Sequence, residues 1–463
     1  MNRIVVEKLS GLIEDKNWAK IRDSVADLHP ADIAEVLQEL SLDQQIFLID
    51  HLDNEVSSMV LLELDEEDRK KILHSFSPKE IAEEMIQEMD SDDAADVIAE
   101  LSDQKKGEVI AQIDDEEHAK SIVDLLKYNE DSAGGIMAKE LIKVQDSWTV
   151  LTAVKEMRKQ AESLELEEVY SIYVVDEKDK LLGLLNLKKL LTTTTSSLIS
   201  QVYNPKVLKV AVADDAEDVA STMQKYDLFE IPVVDELNRL VGRITIDDVI
   251  DRIEERDTED IHKFGGTEGL DLSYTKASLS ELVKKRAGWL VLLFLGEMFT
   301  ASAMGHYNDE ISKAVVLTLF IPLIISSGGN SGSQAASLII RAMALKELHL
   351  KDWWLVMRKE IFSGLILGSI LAIIGFIRIF TWQKMGLYDY GEYWFWVSLS
   401  VSLSLIFVVL WGTLSGSLVP FLLKRIGLDP ATASAPFVAT LVDVTGLVIY
   451  FTLSSILLSG KLL

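Results

Sequence analysis

In the stretch APFVATLVDVTGLVIYF, Ala435 to Phe451, a single carboxylate, Asp443, stands with eight uncharged residues on either side. An aspartate at mid-membrane costs about 2.5–3.5 kcal/mol on insertion scales and is retained where it faces a bundle interior or an aqueous path. No basic residue lies mid-span to neutralise it. The chemistry on offer is therefore a fixed negative charge for a cation in transit, against the plainer alternative of a hydrogen bond to a neighbouring helix. At about 100° per residue, Asp443 shares a face with Thr432, Pro436, Ala439, Thr440, Gly446 and Tyr450. Phe437, Leu441, Val444, Val448 and Phe451 point away, so the aspartate face is small and partly polar.

Two further features lie in apolar surroundings. Glu297, in LFLGEMFTASAM, is a second mid-span carboxylate, either protonated or paired with Lys or Arg at an interface. The stretch IPLIISSGGNSGSQAAS places Gly328, Gly329 and Gly332 around Asn330, with Pro322 upstream. This composition predicts a helix broken at membrane depth, where protein or water must satisfy the backbone, as at transporter ion sites. The competing reading is a close-packing patch that admits a neighbouring helix. GLILG (Gly364 to Gly368) and GTLSG (Gly412 to Gly416) fit the small-xxx-small dimer pattern.

The elements that must position these groups follow from composition. The chain has 463 residues, a net charge of −29 and 48% hydrophobic residues, a combination that suits two unlike parts better than one domain. Residues 285–463 hold 13 Lys and Arg against 10 Asp and Glu, whereas residues 1–284 hold 32 against 64. An acidic soluble half is thus joined to an apolar half, and no nucleic-acid partner is expected. Without cysteine there is no disulfide framework, thiolate metal site or catalytic cysteine.

Five stretches have the roughly 20 apolar residues that cross a bilayer: about Ala287–Tyr307, Ala314–Arg341, Ile361–Ile379, Tyr393–Leu423 and Thr432–Leu458. Basic residues cluster before the first (Lys284, Lys285, Arg286), after the second (Arg341, Lys346, Lys351, Arg358, Lys359) and after the fourth (Lys424, Arg425). The opposite loops hold only Lys313, Arg378, Lys384 and Lys461, which predicts a cytoplasmic N-terminus and an external C-terminus in the inner (plasma) membrane. The first twenty residues contain no apolar core of signal-peptide length, in keeping with a cytosolic acidic half.

That acidic half repeats a helical phrase: HPADIAEVLQEL, SPKEIAEEMIQEM, SDDAADVIAEL and DDEEHAKSIVDLL. Each opens on a capping residue or proline and continues with apolar residues three and four apart, predicting stacked helix pairs in a small superhelical solenoid. A second repeat aligns YVVDEKDKLLGLLNLKKLL with PVVDELNRLVGRITIDDVI at a constant offset of 59, Gly183 matching Gly242. Each copy reads as strand, turn, strand and helix start, which resembles tandem cystathionine-β-synthase (CBS) domains. The resemblance implies a site for ATP or another adenine nucleotide, which such pairs often bind, although no phosphate-cradling glycine loop is present.

The order of an acidic helical domain, a CBS pair, a connecting helix and five spans resembles the MgtE family of magnesium channels or transporters over essentially the whole chain. PLIISSGGNSGSQ and PFVATLVDVTG are the specific matches. The expected fold is multidomain: an α-helical superhelical N domain (residues 1–131), α/β tandem CBS domains (132–262), a plug-like connecting helix (263–285) and an all-α transmembrane domain of five helices (286–463).

The resemblance implies a homodimer in the lipid bilayer, a pore between its membrane domains, and Asp443 as the pore carboxylate. Mg²⁺ sheds water reluctantly and suits a path with few direct ligands. Two copies of Asp443 would match its charge, while Ala439 and Thr440 leave room for waters and backbone carbonyls. Ala435 replaces an Asn that some relatives carry before the proline, so polar contacts at that level differ. Carried over as Mg²⁺-sensor positions are Asp92 and Asp96, then Asp215, Glu217, Asp227, Asp248, Asp251, Glu259 and Asp260, and Asp429 at the cytosolic mouth. Arg256 departs from the family's acidic pattern, with Glu255 beside it as the substitute.

The function expected is Mg²⁺ uptake through a channel or transporter that cytosolic Mg²⁺ closes. The alternatives are a Na⁺- or H⁺-coupled divalent exchanger and a CBS-regulated channel for another ion. An anion path would line its filter with helix N-termini or cations rather than Asp443. An enzyme is not expected, since neither HExxH nor GxSxG occurs.

Overall fold

The computed structural model describes residues 9–13, 18–26, 28–163, 171–269, 274 and 277–462. The chain divides into two compact units, Met1–Glu255 and Arg256–Leu463.

The first unit opens with short helices: α1 (Trp18–Val25), α2 (Pro30–Gln38), α3 (Leu42–Ile49), α4 (Asn54–Leu62), α5 (Glu66–Ser75), α6 (Pro78–Glu84), α7 (Ser91–Ala99), α8 (Asp103–Ile110) and α9 (Glu116–Leu125). The four repeated phrases are α2, α6, α7 and α9. In α2, α6 and α9 the residue before the helix, His29, Ser77 or Asp115, satisfies amides that a helix start leaves unpaired. Ser77 Oγ accepts from the Glu80 amide at 3.3 Å while Glu80 returns a 2.7 Å bond to the Ser77 amide, a capping box. Asp115 accepts from the amides of Glu117 and His118. Each helix then buries one stripe, such as Ile33, Ala34, Val36 and Leu37 on α2 or Ala94, Ala95, Val97 and Ile98 on α7.

Two small sheets follow. One orders β1 (Lys143–Gln145), β2 (Ile172–Val175) and β3 (Leu181–Leu185), with α10 (Val150–Ser163) between the first two and α11 (Leu187–Thr192) after the third. The other orders β4 (Val210–Ala211), β5 (Glu230–Val234) and β6 (Leu240–Thr245), with α12 (Ala216–Tyr226) and α13 (Ile246–Phe264) in the matching places. Both pair their first strands parallel and their second antiparallel, with Val174 opposite Gly183 and Val233 opposite Gly242. The hairpin turns repeat too. Asp179 and Asn238 adopt the left-handed conformation at φ 58° and 64°, which Asp and Asn tolerate best among residues with a Cβ. The Asp176 and Asp235 carboxylates brace those turns by accepting from backbone amides two and four residues on. This is the CBS hairpin that the sequence repeat predicted.

The second unit holds five helices long and apolar enough to cross a membrane: α14 (Leu279–His306), α16 (Ile321–Ala344), α17 (Trp353–Lys384), α18 (Trp394–Arg425) and α19 (Ala435–Leu458), with the short α15 (Asn308–Lys313) after the first. The helix expected over 263–285 is not continuous: α13 ends at Phe264, residues 265–269 and 277–278 are not helical, and from Leu279 one helix runs on into the first span. Its only buried residue among those described is Thr300.

The second span corrects an expectation. Its glycines do not break the helix: α16 is continuous from Ile321 to Ala344, and the change of geometry lies upstream, where a 3-10 helix (Val315–Phe320) meets Pro322 in the first turn. Pro lacks an N–H that this turn does not need. The glycines instead let α18 approach, so the close-packing reading holds. A Cβ on Gly412 or Gly416 would stand 2.4 and 2.0 Å from the carbonyl oxygens of Gly328 and Gly332. Gly364 and Gly368 admit Leu410 and Ile406 in the same way. Both small-xxx-small patterns are therefore spent on packing within the chain.

Candidate functional site

The fifth span starts where Ser434 Oγ accepts from the Phe437 amide at 3.3 Å, with Pro436 in the first turn. Thr432 lies in a preceding 3-10 turn rather than on this helix. Further along, Gly446 and Tyr450 are buried, and Tyr450 donates to the Leu317 carbonyl at 2.9 Å. Phe451, expected to point away, is also buried and stacks on Tyr307 with ring centroids 5.2 Å apart. The fifth helix is enclosed on more than one side in this stretch.

Asp443 is half-buried, and among the described residues it has no hydrogen-bond or ion-pair partner. Opposite it runs the glycine stretch of α16: a Cβ on Gly329 would lie 3.6 Å from Asp443 Oδ1 and 3.5 Å from Ala439. The missing side chain leaves space against the carboxylate. Thr440 packs on α14, where a Cβ at Gly296 would be 2.9 Å from its methyl. Glu297, the next residue, is exposed and has no partner among the described residues, so of its two readings the pairing with Lys or Arg is not seen among them. Asn330 is exposed and donates to Ser326 Oγ at 3.4 Å. The Ala435 carbonyl accepts from Ser333 Oγ at 3.1 Å.

At the end of this bundle that precedes α19, Asp429 Oδ1 accepts from the Ala431 amide at 2.8 Å, and Oδ2 lies 2.7 Å from Lys263 Nζ. Lys263 also reaches Glu259 at 2.6 Å. Two expected sensor carboxylates thus meet on one ammonium. Arg256 Nη2 donates to the Ala344 carbonyl at 3.1 Å, meeting the negative end of the α16 dipole. Glu255 is helical, but its side chain lies outside the described residues. Asp260 is half-buried on α13.

In the first unit, carboxylates crowd the start of α7. Asp90, Asp92 and Glu140 offer oxygens all within 4.8 Å of one another, and Asp92 is only 7% exposed. Glu140 accepts from Ser91 Oγ at 2.7 Å and from the amides of Ser91 and Lys139 at 3.2 and 3.0 Å. Asp248 accepts from the Thr245 hydroxyl and amide at 2.6 and 3.1 Å.

Burial, followed by the Asp248 charge, lifts Asp92 well above the carboxylate range and pushes Asp93 up to about 8. Asp248 itself is pushed up to about 7 by burial, against the Thr245 hydrogen bonds that lower it. Desolvation and like charges both disfavour ionisation. This is the electrostatic signature of a place that a divalent cation would relieve.

Asp92 and Asp248 were expected site residues that come together here. Asp96 stands on the exposed edge of α7, and Asp251 is exposed on α13. Asp215, Glu217 and Asp227 mark the two ends of α12. Asp215 caps it, Glu217 is exposed in its first turn, and Asp227 closes it in the left-handed conformation at φ 51°. Asp90, Asp93, Glu140 and Lys263 were not foreseen. The density of aspartates in MDSDDAADV carried a signal for the first two, and the spacing of Glu259 and Lys263 for the last. Glu140 carried none, being 48 residues beyond Asp92.

Comparison with known proteins accounts for most of the chain. A model described as divalent cation transporter matches residues 321–453, one for the MgtE intracellular N domain matches 28–131, and the CBS domain matches 133–194 and 199–255. The chain is 40% identical over 336 residues to the magnesium transporter MgtE of Thermus thermophilus, covering 73% of this chain and 72% of that one. It is 29% identical over 454 residues to the magnesium transporter MgtE of Bacillus subtilis, covering 98% and 96%. A solved structure of the cytosolic domain of the Mg²⁺ channel MgtE in complex with ATP is similar with a TM-score of 0.50 and 30% identity, covering 53% of this chain and 99% of that one. The chain belongs to the MgtE family of magnesium transporters and is a multi-pass membrane protein.

Proposed function

We propose that two copies of this chain form a Mg²⁺ path for uptake across the plasma membrane, which cytosolic Mg²⁺ closes. The observation that carries this reading is Asp443: a carboxylate without a partner among the described residues, facing a helix whose side chain at the point of approach is a hydrogen atom. A hydrated cation needs room and charge together, and a second copy would bring the charge to −2. The loop charges favour a cytoplasmic N-terminus and an external C-terminus. Flux into liposomes loaded with a Mg²⁺-sensitive dye tests the reading, and no uptake above protein-free liposomes would overturn it.

Closure by cytosolic Mg²⁺ rests on the carboxylates around Asp92 and Asp248. A cation bridging them favours whichever arrangement holds them together, to the extent that it binds that arrangement more tightly. Limited proteolysis of the full chain should show protection of the cytosolic half in millimolar Mg²⁺ but not in NaCl of equal ionic strength. Replacing Asp92, Asp96, Asp248 and Asp251 together by Asn should raise the Mg²⁺ concentration that half-closes the path by roughly 5- to 150-fold, the usual size of a coupling between sites. An unchanged closing concentration would refute the sensor.

These groups also set a pH dependence. Folded Asp93 and Asp248, at about 8 and about 7, hold protons that the unfolded chain releases near pH 4. Without Mg²⁺, stability should therefore fall as pH rises from about 4 to 8. Saturating Mg²⁺ should flatten that slope, because the bound state is already ionised. Thermal unfolding of the full chain at pH 6 and 8, with and without Mg²⁺, measures this directly. A Mg²⁺-free profile that does not fall with pH would remove the electrostatic basis.

A coupled exchanger is the second reading, favoured by Glu297, exposed and without a partner among the described residues, beside Gly296 where α14 meets Thr440. Voltage-clamp recording with varied Na⁺ and pH separates the two: a reversal potential that follows Mg²⁺ alone indicates a channel.

For an adenine nucleotide, the CBS pair holds Tyr173, Glu230 and Arg243 as buried neighbours: Arg243 Nη1 donates to Glu230 Oε2 at 3.3 Å, Tyr173 lies against Glu230, and Arg243 Nε has no hydrogen-bond partner among the described residues. The spare donor on Arg243 suits an acceptor on the hydrogen-bonding edge of a base. When bound, the nucleotide would supply the missing partner, and Tyr173, Glu230 and Arg243 would orient it.

A further inference from the structure

In the membrane unit, a groove of about 780 Å³ runs along α18 and is lined almost wholly by apolar side chains. Its α18 wall is a stripe at Trp411, Ser415, Leu418, Leu422 and Arg425, the four- and three-residue spacing of one helix face. From Trp411 to Arg425 a helix rises about 21 Å, and one leaflet with its headgroup region is about 20–22 Å deep. The groove therefore reaches from headgroup level to the bilayer middle on one side only. At its outer end stand Arg425 and Lys351, with Trp353 beside them. Neither cation has an ion-pair or hydrogen-bond partner among the described residues. Trp353 is 47% exposed, the position of an interfacial tryptophan.

We infer that this groove holds one anionic phospholipid, its acyl chain along α18 and its phosphate between Lys351 and Arg425. Three observations favour a lipid over another protein surface. The length matches one leaflet. The depth is apolar but for Ser415. The two charges at the rim are both positive and uncancelled, so a second copy meeting the groove face to face would add like charge, whereas a phosphodiester supplies the missing anion.

The groove also touches the ion path from behind. Trp411, at its deep end, donates from its indole nitrogen to Thr445 Oγ1 at 2.7 Å, two residues from Asp443 on α19, and Leu441 of the same helix lines the groove. An acyl chain seated against Trp411 would steady the helix that carries the carboxylate. The inference needs only the groove and its rim, and it stands independently of Mg²⁺ sensing.

The test uses the full chain in vesicles of phosphatidylcholine containing a small fraction of phosphatidylglycerol, with bromine on the acyl chains of one lipid or the other. The chain has nine tryptophans, so the signal of Trp411 is taken as the difference between the native protein and Trp411→Phe. Brominated phosphatidylglycerol should quench that component at a mole fraction roughly thirtyfold below brominated phosphatidylcholine, given two basic residues near the surface. The exposed double variant Lys351→Gln/Arg425→Gln, which touches no core, should lose the preference while keeping its helical circular dichroism. Equal quenching by both lipids in the native protein would overturn the inference. So would efficient crosslinking between copies through Leu422→Cys, a sole thiol in this cysteine-free chain, since a second copy would then fill the groove.

Discussion

Mg²⁺ flux through Asp443→Asn should fall at least about a thousandfold while the protein remains folded. At an effective dielectric near 20, a unit charge about 4 Å from a carboxylate gains ~4 kcal/mol and a divalent ion about twice that. Losing even half of the divalent term lowers occupancy by roughly 10³. Asn keeps the volume opposite Gly329, so the loss would report charge rather than shape, and Asp443→Ala should behave alike. No partner among the described residues depends on this carboxylate for its own hydrogen bond, which is why stability should survive. Dye-reported flux, read beside size-exclusion profiles of the purified variants, decides the matter. Native flux from either variant would end the assignment of Asp443 as the pore ligand.

The second large effect concerns two glycines that look alike in the sequence and should behave oppositely. Gly416→Ala puts a methyl group 2.0 Å from the Gly332 carbonyl oxygen, where carbon and oxygen of even a close C–H contact stay about 3.3 Å apart. Both helices would have to separate, and overpacking of this kind costs about 3 kcal/mol or more. Gly412→Ala, at 2.4 Å from the Gly328 carbonyl, should cost a similar amount. Gly329→Ala meets Ala439 and Asp443 at 3.5 and 3.6 Å, ordinary contact distances, so the fold should hold. It nevertheless fills the space beside the carboxylate, and flux should drop while the melting temperature stays. Gly329→Leu should block conduction altogether. If Gly416→Ala melts like the native protein, the glycine contact between α16 and α18 is not what joins those helices.

Charge and periodicity made much of this protein legible before any fold was known. The separation of 64 acidic residues from the apolar half, the five spans, and the helix starts at Pro30, Ser77, Ser91 and Asp115 are local properties. A capping side chain or a run of apolar residues acts within a few positions of itself, so its consequence is written beside it. The CBS hairpins were equally readable, because the offset of 59 repeats strand, turn and register together. Asp443 announced itself by the cost of placing a charge in apolar surroundings.

Tertiary structure decided what those residues do to distant ones. SSGGNSG has the composition of a broken helix, but whether it breaks depends on the neighbour that arrives, and α18 arrives closely enough for Gly412 and Gly416 to rest on its backbone. Propensity is worth only about 1 kcal/mol per glycine, less than two packed spans supply. The acid cluster needed Glu140 brought to Asp90 and Asp92. Lys263 needed Asp429 carried to it across 166 positions. Sequence states which charges exist; only the fold sets the distances between them, and electrostatic energy depends on distance and burial.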